Sequence, residues 1–225
     1  VNAAFDAVEA HFGPVQVLVS NAGITKDTLI LRMSEDDFAT VLDANLTAAF
    51  RVCKRATQGM LRARSGRIIL ISSVVGMLGS AGQANYAAAK AGIAGFSRVM
   101  ALELAKYGCT SNTISPGALT RMTIPLRENR GEKVEEDDMA SGGPQHIAPI
   151  CAWIAGEEAA GITGEIFHTG RGGVSIMQQP KIIKQFQKKT GVWSMDELDQ
   201  IVPDLVAAKK ANAIAANISA EPIEV

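Results

Sequence analysis

The sequence predicts an α/β protein with a doubly wound parallel sheet, and three observations support this prediction. Apolar segments of strand length alternate with segments of helical period along most of the chain. The strand candidates are continuously apolar, which is typical of strands that helices cover on both faces. Polar or flexible residues follow these candidates, at the edge where parallel sheets bind ligands.

The composition excludes several classes of protein. The chain has 225 residues, of which 47% are hydrophobic and 20% charged, as in an average globular domain. Its formal net charge of -1 provides no overall field that would attract nucleic acid or an anionic membrane. No apolar segment reaches the roughly 18 residues that a membrane span needs. The 3 cysteines form no C-x-x-C pair, so we expect a reduced cytoplasmic protein without a metal site.

The elements follow one another in regular order. Phe5, Val8 and Phe12 have helical spacing, Gly13-Pro14 ends that helix, and residues 15–19 form the first strand candidate. A long helical pattern begins near Ser34. The later elements are predicted as a strand at 67–71, a small-residue helix at 83–107, and strands at 110–114 and 162–167.

Three of the predicted strand ends carry residues that suit ligand binding. The first strand runs into Asn-Ala-Gly at 21–23, where Gly23 lets the backbone approach a ligand closely. Ser73 closes the second strand, and Pro116-Gly117 closes the third. Taken alone, each has a simpler interpretation as an Asn-x-Gly turn, a helix cap or an ordinary loop start.

Tyr86 and Lys90 lie four residues apart and therefore share one face of a helix. A solvent-exposed pair is the simpler interpretation, but the whole chain contains only 2 tyrosines. Reduction of a ketone needs a proton donor beside the oxygen. One positive charge about 4 Å from a tyrosine hydroxyl, at an effective dielectric near 20, supplies about 4 kcal/mol, or about three pKa units. The sequence therefore predicts that Lys90 lowers the pKa of Tyr86.

These residues together resemble the short-chain dehydrogenase/reductase family over residues 15–173. The resemblance is carried, in order, by N-A-G at 21–23, Asn45, Ser73, Tyr86-x-x-x-Lys90 and Pro116-Gly117. The block G-Q-A-N-Y-A-A-A-K-A-G is similar to the 3-oxoacyl-carrier-protein reductase branch. The resemblance implies a Rossmann-like fold, a nicotinamide cofactor, either NAD or NADP, and hydride transfer.

The resemblance also implies a role for each residue. Tyr86 is the acid/base, Lys90 bonds the nicotinamide ribose and Ser73 steadies the substrate carbonyl oxygen. Asn45 holds a proton-relay water, although a helix-interior amide is its simpler interpretation. The implied cofactor-binding residues are Asn21, Ala22, Gly23, Tyr86, Lys90, Pro116, Gly117 and Thr120.

The chain departs from the family pattern at its beginning. The family opens with a strand and a Gly-rich turn that holds the cofactor pyrophosphate at a helix N-terminus. Gly76, Gly79, Gly82 and G-R-G-G at 170–173 match no such turn. We therefore expect a chain that is missing its first β-α units and binds dinucleotide poorly. Its first strand would lie unpaired at an edge.

The substrate and the domain boundaries follow from the loop after Gly117 and from the tail. A-L-T-R-M-T in this loop is one residue tighter than in carrier-protein reductases and is similar to (3R)-hydroxyacyl-CoA dehydrogenases. We expect hydride exchange with a 3-hydroxyacyl or 3-oxoacyl thioester, preferably of coenzyme A, in a catalytic domain at 1–173. The alternatives are a 3-oxoacyl-carrier-protein reductase and a non-catalytic scaffold subunit, which would not need the four catalytic residues.

Residues 174–225 are predicted to form a helical extension. Ser194 and Glu197 make a capping box, and Pro203 is expected to split the helix that follows. The small-residue helix at 83–107 can pack closely against another helix, and the family commonly forms homodimers or homotetramers. A homo-oligomer is therefore expected.

Overall fold

Five strands form a single sheet in the order β1 to β5. The strands are β1 (Val17–Ser20), β2 (Gly66–Ile71), β3 (Cys109–Pro116), β4 (Ile166–Gly170) and β5 (Gly173–Ile176). The first four strands are parallel, and β5 returns antiparallel to β4. This computed structural model describes residues 1–120, 122–124, 131, 133 and 136–215. The chain divides into two compact units, Val1–Gln178 and Gln179–Val225, and the sheet belongs to the first.

Helices lie between the parallel strands along the chain, and one helix precedes the first strand and another follows the last. They are α1 (Asn2–Phe12), α2 (Glu35–Leu42), α3 (Ala48–Ala63), α4 (Val74–Leu78), α5 (Ala84–Leu104), α6 (Glu136–Gly142), α7 (Ala148–Ala155) and, in the second unit, α8 (Met195–Ala215). Ser34 begins α2 as predicted, because its hydroxyl accepts a bond from the Asp37 amide at 3.0 Å. A π-helical turn, Asp43–Thr47, joins α2 to α3. Across the described residues, no helix combines the length and the apolar character that a bilayer crossing requires.

The continuous apolar segment of β2 is buried on both faces, as the doubly wound arrangement requires. Ile68 and Leu70 pack on one face against side chains of α3 and α5, such as Met60. Ile69 and Ile71 alternate with them and pack on the other face. There they meet Ile154 of α7. The prediction of a parallel sheet with helices on both faces is confirmed.

The first strand lies at an edge of the sheet, as expected. Its only neighbour among the described strands is β2. Leu18 packs into the core on the α3 side. Val17 and Val19 point the opposite way and remain 42% and 45% exposed. One face of β1 is therefore apolar and uncovered.

The predicted last parallel strand begins four residues too early. Instead of residues 162–167, the strand is Ile166–Gly170. The preceding segment bonds to side chains of β3, because Asn112 donates to the Ile162 carbonyl at 2.8 Å and accepts from the Glu165 amide at 3.1 Å. Two backbone bonds, from the Gly164 amide to Ser111 and from the Thr113 amide to Glu165, also hold this segment against β3. The hydrophobic pattern alone does not reveal these side-chain bonds.

The sequence analysis also missed β5. Residues 170–173 do not merely follow the final strand but form the tight turn of a β-hairpin. Arg171 and Gly172 have φ values of 50 and 77 degrees, and positive values at both central residues suit a two-residue hairpin loop. The G-R-G-G segment is therefore a hairpin turn and not a phosphate-binding turn that opens a helix.

The second unit contains α8. The predicted capping box begins it, since the Ser194 amide donates to Glu197 at 2.7 Å and the Glu197 amide donates to the Ser194 hydroxyl at 3.3 Å. The prediction that Pro203 splits the helix is wrong, because α8 is continuous through that residue. Proline removes one backbone donor, and the rest of the helix retains its bonds.

Candidate functional site

A cleft of about 880 Å³ opens at the carboxyl edge of the parallel strands. This is the edge at which doubly wound sheets bind ligands. The strand ends and the start of α5 supply its polar wall, and α7 supplies an apolar wall. Eight of the residues singled out in the sequence line it or its rim: Asn21, Ala22, Gly23, Ser73, Tyr86, Lys90, Pro116 and Thr120.

Lys90 is a buried cation in the wall of this cleft. The residue is only 3% exposed, and its ammonium group donates to the Ile71 carbonyl at 2.8 Å. Burial lowers the pKa of Lys90 to about 8. The ammonium has three N–H donors, so this bond leaves two for other acceptors in the cleft.

Tyr86 lies one turn before Lys90, with the ammonium nitrogen 5.5 Å from the centre of its ring. Burial raises the pKa of Tyr86, and the hydrogen bond with Ser73 partly counteracts that effect. The expectation that Lys90 depresses this pKa is not met in the structure, because desolvation of the phenol dominates. The prediction had assumed a contact of about 4 Å and ignored this desolvation.

Ser73 and Tyr86 line the same cleft, and the helices that carry them pack unusually closely. The Ser73 hydroxyl begins α4 by accepting from the Val75 amide at 3.2 Å. In the same helix, a Cβ at Gly76 would lie 2.7 Å from backbone atoms of Lys90 and Ala91. Glycine at position 76 therefore lets α4 approach the backbone of α5. The simple helix-cap interpretation of Ser73 and its place in the cleft are both correct.

Asn45 lies behind the cleft wall rather than on it. It belongs to the π-helical turn, a distortion that is frequent at functional sites. Its amide nitrogen donates to Val41 at 2.8 Å and to Ile24 at 2.9 Å. Its side-chain oxygen is buried and has no hydrogen-bond partner. Because an orphaned buried acceptor is costly, this oxygen is available to a ligand or a water molecule.

Gly23 separates this oxygen from the cleft. A Cβ at position 23 would overlap the Asn45 oxygen and lie 3.4 Å from the Lys90 ammonium nitrogen. Gly23 therefore lies close to both the side-chain oxygen of Asn45 and the ammonium group of Lys90. Gly117 lies outside the cleft lining, beside His168, whose ring bonds the Ser115 carbonyl at 2.8 Å.

Sequence reasoning missed the apolar wall of the cleft. Small residues recur on α7 at helical spacing, and this repeat was the available signal. They are Ala148, Cys151, Ala152 and Ala155. Sequence reasoning also missed the carbonyl of Ile71 as the acceptor for Lys90, because no side-chain pattern marks a backbone group.

These residues fit one half of a nicotinamide dinucleotide. The free N–H groups of Lys90 suit hydroxyl groups, such as those of a ribose, and the buried acceptor of Asn45 suits a small donor such as a water molecule. The described residues provide no Gly-rich turn at a helix N-terminus for the pyrophosphate. Nor do they bring together three or more His, Cys, Asp or Glu side chains that could hold a metal ion.

Comparisons with known proteins define the class. Residues 1–131 match the short chain dehydrogenase family. The 3-oxoacyl-[acyl-carrier-protein] reductase FabG of Vibrio cholerae is 45% identical over 175 residues, which are 76% of this chain and 72% of that protein. The 3-oxoacyl-[acyl-carrier-protein] reductase MabA of Mycobacterium tuberculosis is 45% identical over 169 residues, 74% of this chain and 68% of that protein.

A solved structure agrees with these matches. A short chain dehydrogenase from Mycobacterium avium superposes with a TM-score of 0.78 at 35% identity, covering 92% of this chain and 69% of that one. The chain therefore belongs to the short-chain dehydrogenase family. Within that family it is an NAD(P)-dependent oxidoreductase, and the resemblance to 3-oxoacyl-carrier-protein reductases is confirmed.

Proposed function

We propose that this protein reduces 3-oxoacyl thioesters to 3-hydroxyacyl thioesters with a nicotinamide cofactor. The observation that carries the proposal is the convergence of Ser73, Tyr86 and Lys90 on one cleft at the carboxyl edge of the sheet. The names of the FabG and MabA relatives support the substrate class. When bound, the cofactor supplies a hydride to the carbonyl carbon.

Tyr86 donates the proton that the reduced carbonyl oxygen requires. Since burial holds the pKa of Tyr86 above its ordinary value, the phenol is protonated at neutral pH and acts as a general acid. The Ser73 hydroxyl, whose interaction with Tyr86 lowers the pKa of the phenol against the effect of burial, binds the same substrate oxygen. Two hydroxyl groups thus fix the position of the carbonyl.

Lys90 supports both the proton transfer and the cofactor. With a pKa of about 8, its side chain is predominantly an ammonium ion at pH 7. This positive charge stabilises the phenolate that remains after Tyr86 gives up its proton. The N–H groups that do not bond Ile71 hold the ribose hydroxyls.

Asn45 and the residues after the strands complete the proposed site. The unpaired oxygen of Asn45 would accept a bond from a water molecule, and this water would take part in returning a proton to Tyr86. The backbone segments at 21–23 and 116–117, together with Thr120, border the cofactor. We propose residues 1–173 as the catalytic domain, together with residues 174–176, which complete β5.

The carrier of the acyl group is tested by direct comparison. The FabG and MabA names specify a carrier protein, and the sequence-based preference for coenzyme A is unconfirmed. We propose to assay 3-oxobutanoyl thioesters of acyl-carrier protein and of coenzyme A, each with NADPH and with NADH. A higher kcat/KM with the carrier-protein thioester supports a carrier-protein reductase. Consumption of neither thioester with either cofactor would contradict the proposed function.

Substituting Gly23 by alanine is expected to impair the site through steric overlap. The Asn45 side chain cannot move away easily from the added methyl group, because its amide nitrogen donates to two backbone carbonyls. Overpacking of this kind costs about 1–3 kcal/mol of unfolding free energy, and we expect kcat/KM to fall at least tenfold (about 1.4 kcal/mol). Gly161→Ala is the matched control, because its Cβ would meet no atom within 4 Å. Equal activity of the two variants would contradict the packing argument.

The oligomeric state is a further part of the proposal. Val99 and Leu102 on α5 are 49% and 82% exposed, which supports packing of this helix against a second copy of the chain. Sedimentation equilibrium of the wild type and of Leu102→Glu tests this expectation. A monomeric wild type would contradict it.

A further inference from the structure

A short segment after β1 is hydrogen-bonded to the turn that precedes Tyr86. Three consecutive residues, 26–28, bond to the residues just before Tyr86, and we call this set of bonds the clasp. The Thr28 amide donates to the Gly82 carbonyl at 2.8 Å. The side chain of Asn85 donates to the Lys26 carbonyl at 3.0 Å. Between them, Gln83 donates to the carboxylate of Asp27 at 2.9 Å.

The clasp continues directly to Tyr86. Asn85 is fully buried, and its side-chain oxygen accepts from the Tyr86 amide at 2.7 Å. Gln83 is 5% exposed and precedes the first residue of α5. The clasp therefore sets where α5 begins and where the Tyr86 side chain enters the cleft.

Asp27 differs from the other acidic groups nearby. Asp37 pairs with Lys26 at 2.8 Å, and Asp36 lies 4.0 Å from the same ammonium. Within the described part of the chain, Asp27 bonds Gln83 and pairs with no cation. Its negative charge is thus not neutralised by a cation there. Burial is the main cause of the raised pKa of Tyr86, and the Asp27 charge adds a smaller contribution in the same direction.

We propose that Asp27 is a positioning residue for the reductase site: its carboxylate fixes the turn before Tyr86 through Gln83, and its charge opposes proton loss from Tyr86 in the Tyr86–Lys90 pair. This inference rests on the proposed function. The charged groups around the pair are Lys90 on α5, Asp27 and Lys26 on the loop after β1, and Asp36 and Asp37 on α2. Tyr86 then stays protonated and ready to donate.

Asp27→Asn separates the charge from the bond. The asparagine oxygen can still accept from Gln83, but the negative charge is gone. Activity falls as pH rises and the Tyr86–Lys90 pair loses a proton. Without the charge that loss is easier, so the alkaline midpoint of kcat should move down by about 0.3–1 pH unit. The kcat at pH 6 should stay within about twofold of wild type, a ratio worth about 0.4 kcal/mol.

Two further variants complete the test. Asp27→Ala removes both charge and bond, so it should show the same shift together with a kcat at least threefold below that of Asp27→Asn. Asp36→Asn removes an exposed charge outside the clasp and should keep the wild-type midpoint. An Asp27→Asn midpoint equal to wild type would overturn the role of the charge. Equal kcat values for Asp27→Asn and Asp27→Ala would overturn the role of the bond.

The same assay separates this inference from the proposed function. An inactive wild type, or a Tyr86→Phe variant as active as wild type, would refute the proposed function itself. An active wild type, an inactive Tyr86→Phe and an unshifted Asp27→Asn would refute only the role of Asp27. Thermal unfolding of each variant identifies any loss of fold.

Discussion

Tyr86→Phe is expected to lower kcat by about 100- to 10,000-fold, the range that a positioned general acid contributes. The substitution removes the hydroxyl that faces the cleft with Ser73 and keeps the ring that packs beside Lys90. The thioester KM and the melting temperature should therefore change little. Steady-state reduction of a 3-oxoacyl thioester, followed by loss of nicotinamide absorbance, measures the effect.

The chain supplies a matched control, because it has 2 tyrosines. Tyr107 lies in the 3₁₀ turn after α5, next to the side chains of Arg64 and Lys106. Tyr107→Phe should retain wild-type kcat. If both substitutions preserve activity, Tyr86 is not the proton donor.

Lys90→Met is expected to abolish reduction and yet leave the fold as stable as, or more stable than, the wild type at pH 7. The lowered pKa of about 8, against 10.5 for a free lysine, means that the buried ammonium destabilises the folded state by about 3 kcal/mol. Methionine removes that penalty. It also leaves the Ile71 carbonyl without its donor, which costs about 1–3 kcal/mol. The net change should lie between zero and about 2 kcal/mol of stabilisation.

The pH dependence of stability identifies the source of this change. Between the folded pKa of about 8 and the unfolded value of 10.5, the unfolded wild type binds more protons than the folded form. Its unfolding free energy therefore gains from Lys90 as pH rises through this interval. Lys90→Met should lack that gain, whereas Lys54→Met, at an exposed position of α3, should keep it. Urea unfolding at pH 7 and pH 10 tests the difference; a Lys90→Met variant much less stable than wild type at pH 7 would contradict it.

The sequence predicted the sheet and the polar wall of the site with little error. Both predictions rest on residues that are close together in the sequence. The apolar segment of β2 and the spacing of Tyr86 and Lys90 leave few structural alternatives. The features that the sequence did not predict depend on contacts between residues that are far apart in the sequence. Residues 162–165 bond to Asn112, fifty residues earlier in the chain. The clasp joins Asp27 to Gln83 across a similar separation.

The electrostatics of the site were predictable only in part. Spacing brings Lys90 to the same helix face as Tyr86, but it does not reveal how deeply either group is buried. Burial reverses the expected direction for the pKa of Tyr86 and lowers the pKa of Lys90 itself. The buried, unpaired oxygen of Asn45 likewise belongs to a π-helical turn, and no residue pattern in the sequence predicts that turn.

The most direct test of the central claim is cofactor binding at this cleft. The full-length gene product is titrated with NADPH and with NADH, and nicotinamide fluorescence is followed. The wild type and Lys54→Met should show saturable binding of at least one cofactor, and Lys90→Met should bind it at least tenfold more weakly (about 1.4 kcal/mol). Binding that is unaffected by Lys90→Met, or no binding of either cofactor by the wild type, would contradict the assignment of this cleft as the oxidoreductase site.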